Sequence, residues 1–371
     1  MRAISISEVS VSDWDNLCHR SPRGWIFHTK GWIELEAAQS RSEDVSFGIV
    51  SNGRLVAAMP LYVSSLGLGP FVESLVHNGL HRHTGIVWES DLGAAETRSI
   101  QNIALRRVFE IAQRADADRI YLGEQNLTKE SLSSARREVP FWVTELGFQM
   151  GNCFGPHGLI PGPGLASTVV DQIIVLTEAE EDLFASLSKT CRYTVRTASS
   201  AGLQVVDLTK DENCVPEYYR LAKLSAGRTG EAIPEVGYFE TIRNLLLPNG
   251  MCSFIFSSLN GENIAAAILL HAKESAYYFA GVSDPSYLSH GVNDFLQWEM
   301  IKFLKKMDNS HYRLGPYFPG LPPEWPVAKV TRFKSKFGAR SFSIIQGSKF
   351  LKPQRYAKLA QEYVAQLCSE L

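Results

Sequence analysis

Phe254-Ile-Phe-Ser-Ser-Leu-Asn260-Gly261-Glu-Asn-Ile-Ala265-Ala266-Ala-Ile-Leu269 is the stretch on which the fold turns. It reads as two apolar strands around Asn-Gly, the dipeptide that accepts the positive φ angles of a tight hairpin turn. An earlier stretch repeats it: Phe47-Gly-Ile-Val-Ser-Asn52-Gly53-Arg-Leu-Val-Ala57-Ala58-Met-Pro-Leu61. The Ala-Ala pair follows Asn-Gly at the same distance in both. One such hairpin is common, but two with matching flanks point to duplication.

Outward from each hairpin the likeness continues. After the first, Ile100, Ile103, Ala104, Val108, Ile111 and Ala112 fall at helical spacing before a strand, Arg119-Ile-Tyr-Leu-Gly123. After the second come a strand over 276–282 and a helix carrying Phe295, Leu296, Trp298, Met300, Ile301, Phe303 and Leu304. Lys302, Lys305 and Lys306 lie mostly on its wet side, and the strand His311-Tyr-Arg-Leu-Gly315 follows. Each copy runs hairpin, helix, strand, Leu-Gly. Asn52 to Gly123 spans 71 residues and Asn260 to Gly315 spans 55, so the first copy is read as carrying an insertion, the Gly-rich stretch 66–85. The seam is Gly155-Pro-His-Gly-Leu-Ile-Pro-Gly-Pro-Gly164, a concentration of breakers that no helix or central strand tolerates. Beyond it 167–176 is β-rich. Thr177-Glu178 opens a helix running to about Ser200, and Ala201-Gly202 ends it before a strand over 203–208. The expectation is an α/β protein with mixed (α+β) sheets and two tandem domains, 1–165 and 166–371.

A length of 371 residues suits two domains, and 45% apolar against 20% charged residues indicates full cores rather than disorder. A net charge of −2 supplies no global field towards nucleic acid or membrane, so local charge must carry any such argument. The six cysteines (Cys18, Cys153, Cys191, Cys214, Cys252, Cys368) form no C-x-x-C pair, which suggests buried thiols in a reducing compartment. Met1-Arg-Ala-Ile-Ser-Ile-Ser reads as a short strand rather than a signal peptide, and no apolar run approaches a membrane span. These readings favour the cytoplasm.

Three stretches are candidates for chemistry. Lys189, Arg192 and Arg196 are spaced to line one helix face, which is a solvated face or part of an anion site. The segment 327–361 contains no Asp or Glu but holds Lys329, Arg332, Lys334, Lys336, Arg340, Lys349, Lys352, Arg355 and Lys358. That imbalance suggests an anionic ligand such as a phosphate or pyrophosphate, and a membrane surface or RNA would leave the same trace. Asp284-Pro-Ser-Tyr-Leu-Ser-His290-Gly291-Val-Asn293 joins a strand to a helix N-terminus, where backbone N–H groups favour an anion; the plainer reading is Asn293 as a cap and Gly291 as a turn. Phe333-Lys334-Ser-Lys336-Phe337-Gly338-Ala339 places lysines where they could stabilise charge on a reacting carbonyl, or merely on the wet side of a helix whose phenylalanines face inward. His77, His81 and His83 lack a matching carboxylate or Cys, so no metal site is expected, and His271 and His311 read as structural. The G-x-S-x-G, Walker A and G-x-G-x-x-G patterns are absent.

Leu187-Ser-Lys-Thr-Cys-Arg192-Tyr-Thr-Val-Arg196-Thr-Ala-Ser-Ser-Ala-Gly202-Leu-Gln-Val resembles the L-x-K-x-x-R-x-x-I-R-x-A-x-x-x-G-V-x-V stretch of Fem-type proteins. These are the tandem-domain branch of the GNAT acyltransferases, related to the BioF2-like acetyltransferase domain. Asn260-Gly with Ala265-Ala-Ala, Gly291-Val-Asn293 with Leu296-x-Trp298, Leu314-Gly315 and Phe333-Lys-x-Lys336-Phe-Gly338 match later stations of that family in order. Phe27-x-Thr29-x-x-Trp32 resembles its N-terminal signature and Leu146-Gly147-Phe148 the end of a first GNAT unit, so the likeness covers nearly the whole chain. The resemblance implies two GNAT folds and transfer of an acyl or aminoacyl group to an amine. Acyl-CoA or aminoacyl-tRNA would be the co-substrate, with no permanently bound cofactor.

By motif, the resemblance assigns His290, Gly291 and Asn293 to the CoA pyrophosphate and Lys334 and Lys336 to catalysis. Lys189, Arg192, Arg196 and Tyr278 fall to substrate. The full GNAT pattern Gln/Arg-x-x-Gly-x-Gly/Ala is here Leu288-Ser-His-Gly291-Val-Asn293, without the leading Arg/Gln and with Asn in the last small position. Glu299, Asp294 and Tyr278 lie near the expected site, yet none stands out as the base. The setting implied is cell-envelope or polysaccharide precursor synthesis, with a small-molecule acceptor or a lipid- or nucleotide-linked sugar or peptide. The alternatives are an aminoacyl-tRNA-dependent peptidoglycan-bridge enzyme, with tRNA as partner, and a non-catalytic GNAT-fold binding module. The basic C-terminal segment would allow peripheral membrane contact.

Overall fold

A computed structural model describes residues 1–68, 71–79, 84–124, 128–129, 132, 142, 148–150, 170–230, 232–318, 326–357, 361 and 365. The chain divides into two compact units, Met1–Val169 with Ser343–Leu371, and Val170–Phe342.

The first unit contains strands β1 (Arg2–Ser5), β2 (Glu43–Asp44), β3 (Phe47–Ser51), β4 (Arg54–Met59), β5 (Tyr62–Leu68), β6 (Phe71–His77), β7 (Val87–Trp88), β8 (Arg119–Glu124) and β9 (Phe148–Met150). Its helices are α1 (Val11–Arg20), α2 (Lys30–Ser40) and α3 (Ala94–Arg114). The second unit contains β10 (Val170–Val175), β11 (Gln204–Asp207), β12 (Cys252–Leu259), β13 (Glu262–Ala272), β14 (Ser275–Ser283), β15 (His311–Tyr317) and β16 (Arg340–Ser343). Its helices are α4 (Glu180–Ser186), α5 (Lys189–Ser200), α6 (Cys214–Thr229), α7 (Val236–Leu246), α8 (Val292–Lys306) and α9 (Pro326–Lys334). A last strand, β17 (Ile345–Phe350), lies between β8 and β9 in the first unit's sheet. The expected boundary at 165/166 gave the whole C-terminus to the second domain. That placement is corrected by the pairing of Gln346 with Gly123 and of Ser348 with Gln149.

The repeat is visible in the register. Asn52 and Gly53 have φ of 50° and 78°, and Asn260 and Gly261 have 52° and 84°, the left-handed pair that a two-residue hairpin turn needs. Ile49 pairs with Ala57 and Ser257 with Ala265, and each hairpin is irregular at the next residue. The insertion expected at 66–85 holds in part, because β5 and β6 form a hairpin corresponding to β13 and β14 but reach further: residues 65–74 lie between the paired Ser64 and Leu75 where only 273–274 lie between Ala272 and Ser275. The extra length lies partly in the helix, 21 residues in α3 against 15 in α8. Pro60 separates β4 from β5, which belong to different sheets, whereas β13 runs unbroken. Proline has no N–H for the ladder, which accounts for the break.

In the second unit the sheet order is β11-β12-β13-β14-β15-β10-β16, with β14 and β15 parallel. One core packs on α8, whose Phe295, Leu296, Trp298, Met300, Ile301 and Leu304 are buried as their spacing predicts. The helix expected from Thr177 to Ser200 is two helices. Ser188 breaks it, because its hydroxyl accepts the Cys191 N–H and so starts α5 afresh. Lys305 Nζ donates to the carbonyls of Leu176 and Glu178 (3.0 and 2.6 Å), so it binds backbone rather than solvent. The breakers 155–164 and residues Leu146, Gly147, His81, His83, Cys153 and Cys368 lie outside the described residues. Among the described residues no helix is long and apolar enough to cross a membrane.

His271 is buried on β13 with Nε2 3.0 Å from Ser253 Oγ, and burial pulls its pKa down from 6.5 to about 4 against the Asp207 charge. The unfolded ring therefore takes up a proton that the folded ring refuses. Stability contributed above pH 6.5 is expected to drain away as pH falls towards 4. Urea midpoints across that window should decline more steeply for wild type than for His271→Asn.

Candidate functional site

The two parallel strands of the second unit stay together for three residue pairs, Ser275–His311, Ala276–Tyr312 and Tyr277–Arg313. Beyond Arg313, β15 follows β10 while β14 continues along β13, so the sheet forks. The first unit has the same three-pair run, Leu75–Arg119, Val76–Ile120 and His77–Tyr121. There the next residue stitches the strands together. Asn78 Nδ2 donates to Gly123 O and Thr84 O (2.7 and 2.8 Å), and its Oδ1 accepts the Gly123 N–H (2.9 Å). The equivalent residue in the second unit is Tyr278, which instead hydrogen-bonds Gln297 of α8. Gly315, the counterpart of Gly123, has φ +86°, and a Cβ built on it would lie 3.3 Å from Lys334 Nζ and 3.6 Å from Tyr277 OH. One fork is sewn shut and the other is not.

At the open fork Lys334 Nζ donates to Pro316 O (2.9 Å), and Pro316 sits opposite Asp171 in the ladder. Arg313 pairs with Asp171, and both are buried. The guanidinium also covers the Tyr277 ring at 5.2 Å. Burial drives the Lys334 amine down to about 8, opposed by Asp171 and reinforced by Arg313. Sequence reasoning missed Arg313 and Asp171. The available signal was a formal charge within each of two mostly apolar strands.

Lys334 and Lys336 part company. Lys336 Nζ donates to both oxygens of buried Asp294 (3.0 Å each), on the first turn of α8, and its carbonyl accepts the Ser188 N–H. Gly291 makes the turn before α8 with φ +71°, and a Cβ there would stand 2.1 Å from Thr194 Cγ2 on α5. Lys336 and the glycine turn thus meet around α5 and α8 as structural contacts. Gly291→Ala is expected to cost on the order of 2 kcal/mol from strain and collision together, and Gly291→Ala/Thr194→Ser should recover only the collision part in thermal melts.

Asn293 donates to Ser283 Oγ (3.3 Å) instead of capping the helix, and His290 is exposed beside Ser289. Arg192 gives its guanidinium to the carbonyls of Ala185 and Leu187, which end α4. Arg196 lies over the Phe184 ring at 5.1 Å, and Lys189 is exposed at the start of α5. Tyr278, its phenol pushed up to about 12 by burial, is no base at neutral pH. Glu299 is paired with Lys302 (2.7 Å) and Asp294 with Lys336, so neither is poised to take a proton.

The basic segment is no single patch. Arg340 pairs with Glu178, Lys352 with Asp116, and Arg355 with Asp118, while Lys349 covers the Phe109 ring at 4.7 Å. Lys349, Lys352 and Arg355 belong to the first unit, and Lys358 lies outside the described residues. His77 bonds Ser64 Oγ (2.7 Å) and stacks on Tyr62.

Residues 185–324 match the family described as Acetyltransferase (GNAT) domain, which spans α5 to β15, including the two strands that fork, and ends before Lys334. The second unit therefore carries a match to a GNAT acetyltransferase domain. The structure of FemX superposes with a TM-score of 0.67 at 14% identity, over 96% of this chain and 99% of that one. The C-terminal domain of a putative lysylphosphatidylglycerol synthetase from Agrobacterium fabrum gives 0.57 at 14% identity, over 96% and 95%. A tandem GNAT protein from the clavulanic acid biosynthesis pathway gives 0.50 at 13% identity, over 94% and 97%. At these identities the likeness establishes the fold alone. No curated protein sequence matches the chain.

Proposed function

We propose that the second unit is an N-acyltransferase that lays an acyl-CoA donor along β14 in the open fork and passes the acyl group to an amine. The observation that carries this reading is the contrast between the forks: Asn78 closes one, and Lys334 stands beside Gly315 in the other. The acceptor nitrogen attacks the thioester carbonyl, the C–S bond breaks, the thiolate leaves as CoA, and the nitrogen loses a proton to water or a substrate group. The amine and carbonyl need chiefly alignment, since a thioester is already activated. Protonated Lys334 stabilises the oxyanion of the tetrahedral intermediate. Gly291 and its neighbours would face the pyrophosphate at the start of α8. Acceptors on cell-envelope or polysaccharide precursors fit the Fem-type resemblance.

Purified protein titrated with acetyl-CoA is expected to bind one equivalent per chain. Binding of charged tRNA in place of acetyl-CoA would transfer the reading to the aminoacyl branch, with affinity falling steeply with salt. Stabilisation by neither, in thermal melts, would favour a binding module without chemistry.

A further inference from the structure

The Arg313–Asp171 pair is unusual in how little of it is satisfied. Both side chains are buried, Arg313 at 0% and Asp171 at 2% relative exposure. One guanidinium nitrogen, Nη2, meets Asp171 Oδ2. Among the described residues, Arg313 Nε and Nη1 and Asp171 Oδ1 have no hydrogen-bond partner. A buried pair left this open is costly compared with apolar side chains of similar volume. Its charges are also incompletely neutralised, so their field extends to ionisable groups nearby. One of these is Lys334, whose amine is tied to Pro316, directly across the ladder from Asp171.

We infer that Arg313 and Asp171 are positioning residues: together they hold the Lys334 amine at the open fork and set its charge state. The inference rests on Lys334 acting in the proposed transfer. Asp171 stands on β10 opposite Pro316 and Arg313 stands on β15, while β14 presents Tyr277, whose ring lies under the guanidinium. On α9 itself the neighbouring cation Arg332 is exposed. Two opposite charges act on one amine, and each should be separable by substitution. Losing Asp171 leaves only the repelling guanidinium and favours the neutral amine. Losing Arg313 leaves only the attracting carboxylate and favours the ammonium.

The test reads Lys334 directly. Only a neutral amine is acylated by a small electrophile such as acetic anhydride, so its modification rate against pH, followed by peptide mass spectrometry, reports its ionisation. At pH 6 Asp171→Asn should speed modification and Arg313→Gln should slow it, each on the order of tenfold. Asp171→Asn/Arg313→Gln, which removes both members of the buried pair and strands neither, should fold and return the profile near wild type. A purely structural pair would not produce shifts of opposite sign that cancel. Profiles that coincide in all four proteins, or singles that move the same way, would overturn the inference. Shifted profiles with turnover unmoved would uphold the tuning and overturn the catalytic use of Lys334.

Discussion

Lys334→Ala is expected to lower turnover by roughly 10²–10⁴-fold while the protein stays folded. The amine lies beside Gly315 and donates to Pro316 O, and among the described residues it forms no ion pair with a carboxylate, Asp171 being held by Arg313. Its removal takes away a cation disfavoured by burial, so the thermal midpoint should hold or rise. Lys336→Ala should behave in the opposite way. It strips the partner from buried Asp294, lowering the midpoint, with turnover per folded molecule largely kept. In wild type, activity that depends on protonated Lys334 should fall as pH rises through about 8, and Lys334→Arg should move that limb beyond the accessible range. Steady-state rates and melts on the three variants decide it. Full activity in Lys334→Ala would remove this lysine from the chemistry.

Glu73→Ala is expected to destabilise the first unit by about 3–5 kcal/mol, a large share of the ~5–15 kcal/mol typical of a folded domain. Glu73 and Arg119 are 1% and 0% exposed and form a two-pronged bond, 2.7 Å to Nε and 2.9 Å to Nη2. Tyr356 OH donates to the same carboxylate (2.5 Å), and Arg119 also reaches Ser348 Oγ (3.4 Å) and the face of Phe350. Truncation would take the two-pronged carboxylate away from a buried guanidinium and unfasten the returning segment at the same time. Glu73→Leu/Arg119→Met should recover most of the loss, because two apolar side chains carry no desolvation penalty. Denaturant unfolding together with proteolysis after residue 343 would register both effects; an unchanged midpoint in Glu73→Ala would refute the account.

Much of the architecture was legible from local chemistry. Asn-Gly admits left-handed φ at both turn positions, so the two hairpins and their shared register followed from residue type. The apolar spacing of α3 and α8 followed from the helical repeat, and the ordered stations of a Fem-type sequence led to a tandem GNAT fold. The site was legible only in part. Lys334 and Lys336 stand two residues apart, and no pattern shows that one faces the fork while the other anchors α8.

What the amino-acid order determined alone was whatever acts within a few residues: turns, helix faces, the duplication and the family likeness. Tertiary structure decided which long-range partners meet. It set Ser348 of β17 opposite Tyr121 of β8, 227 positions earlier in the chain, and paired Asp171 with Arg313 across 142. It also decided that Asn78 would span one fork while Tyr278 left the other unspanned. Such contacts depend on where separate strands arrive in space, and a strand's own pattern of apolar and polar residues specifies its faces without naming its neighbours.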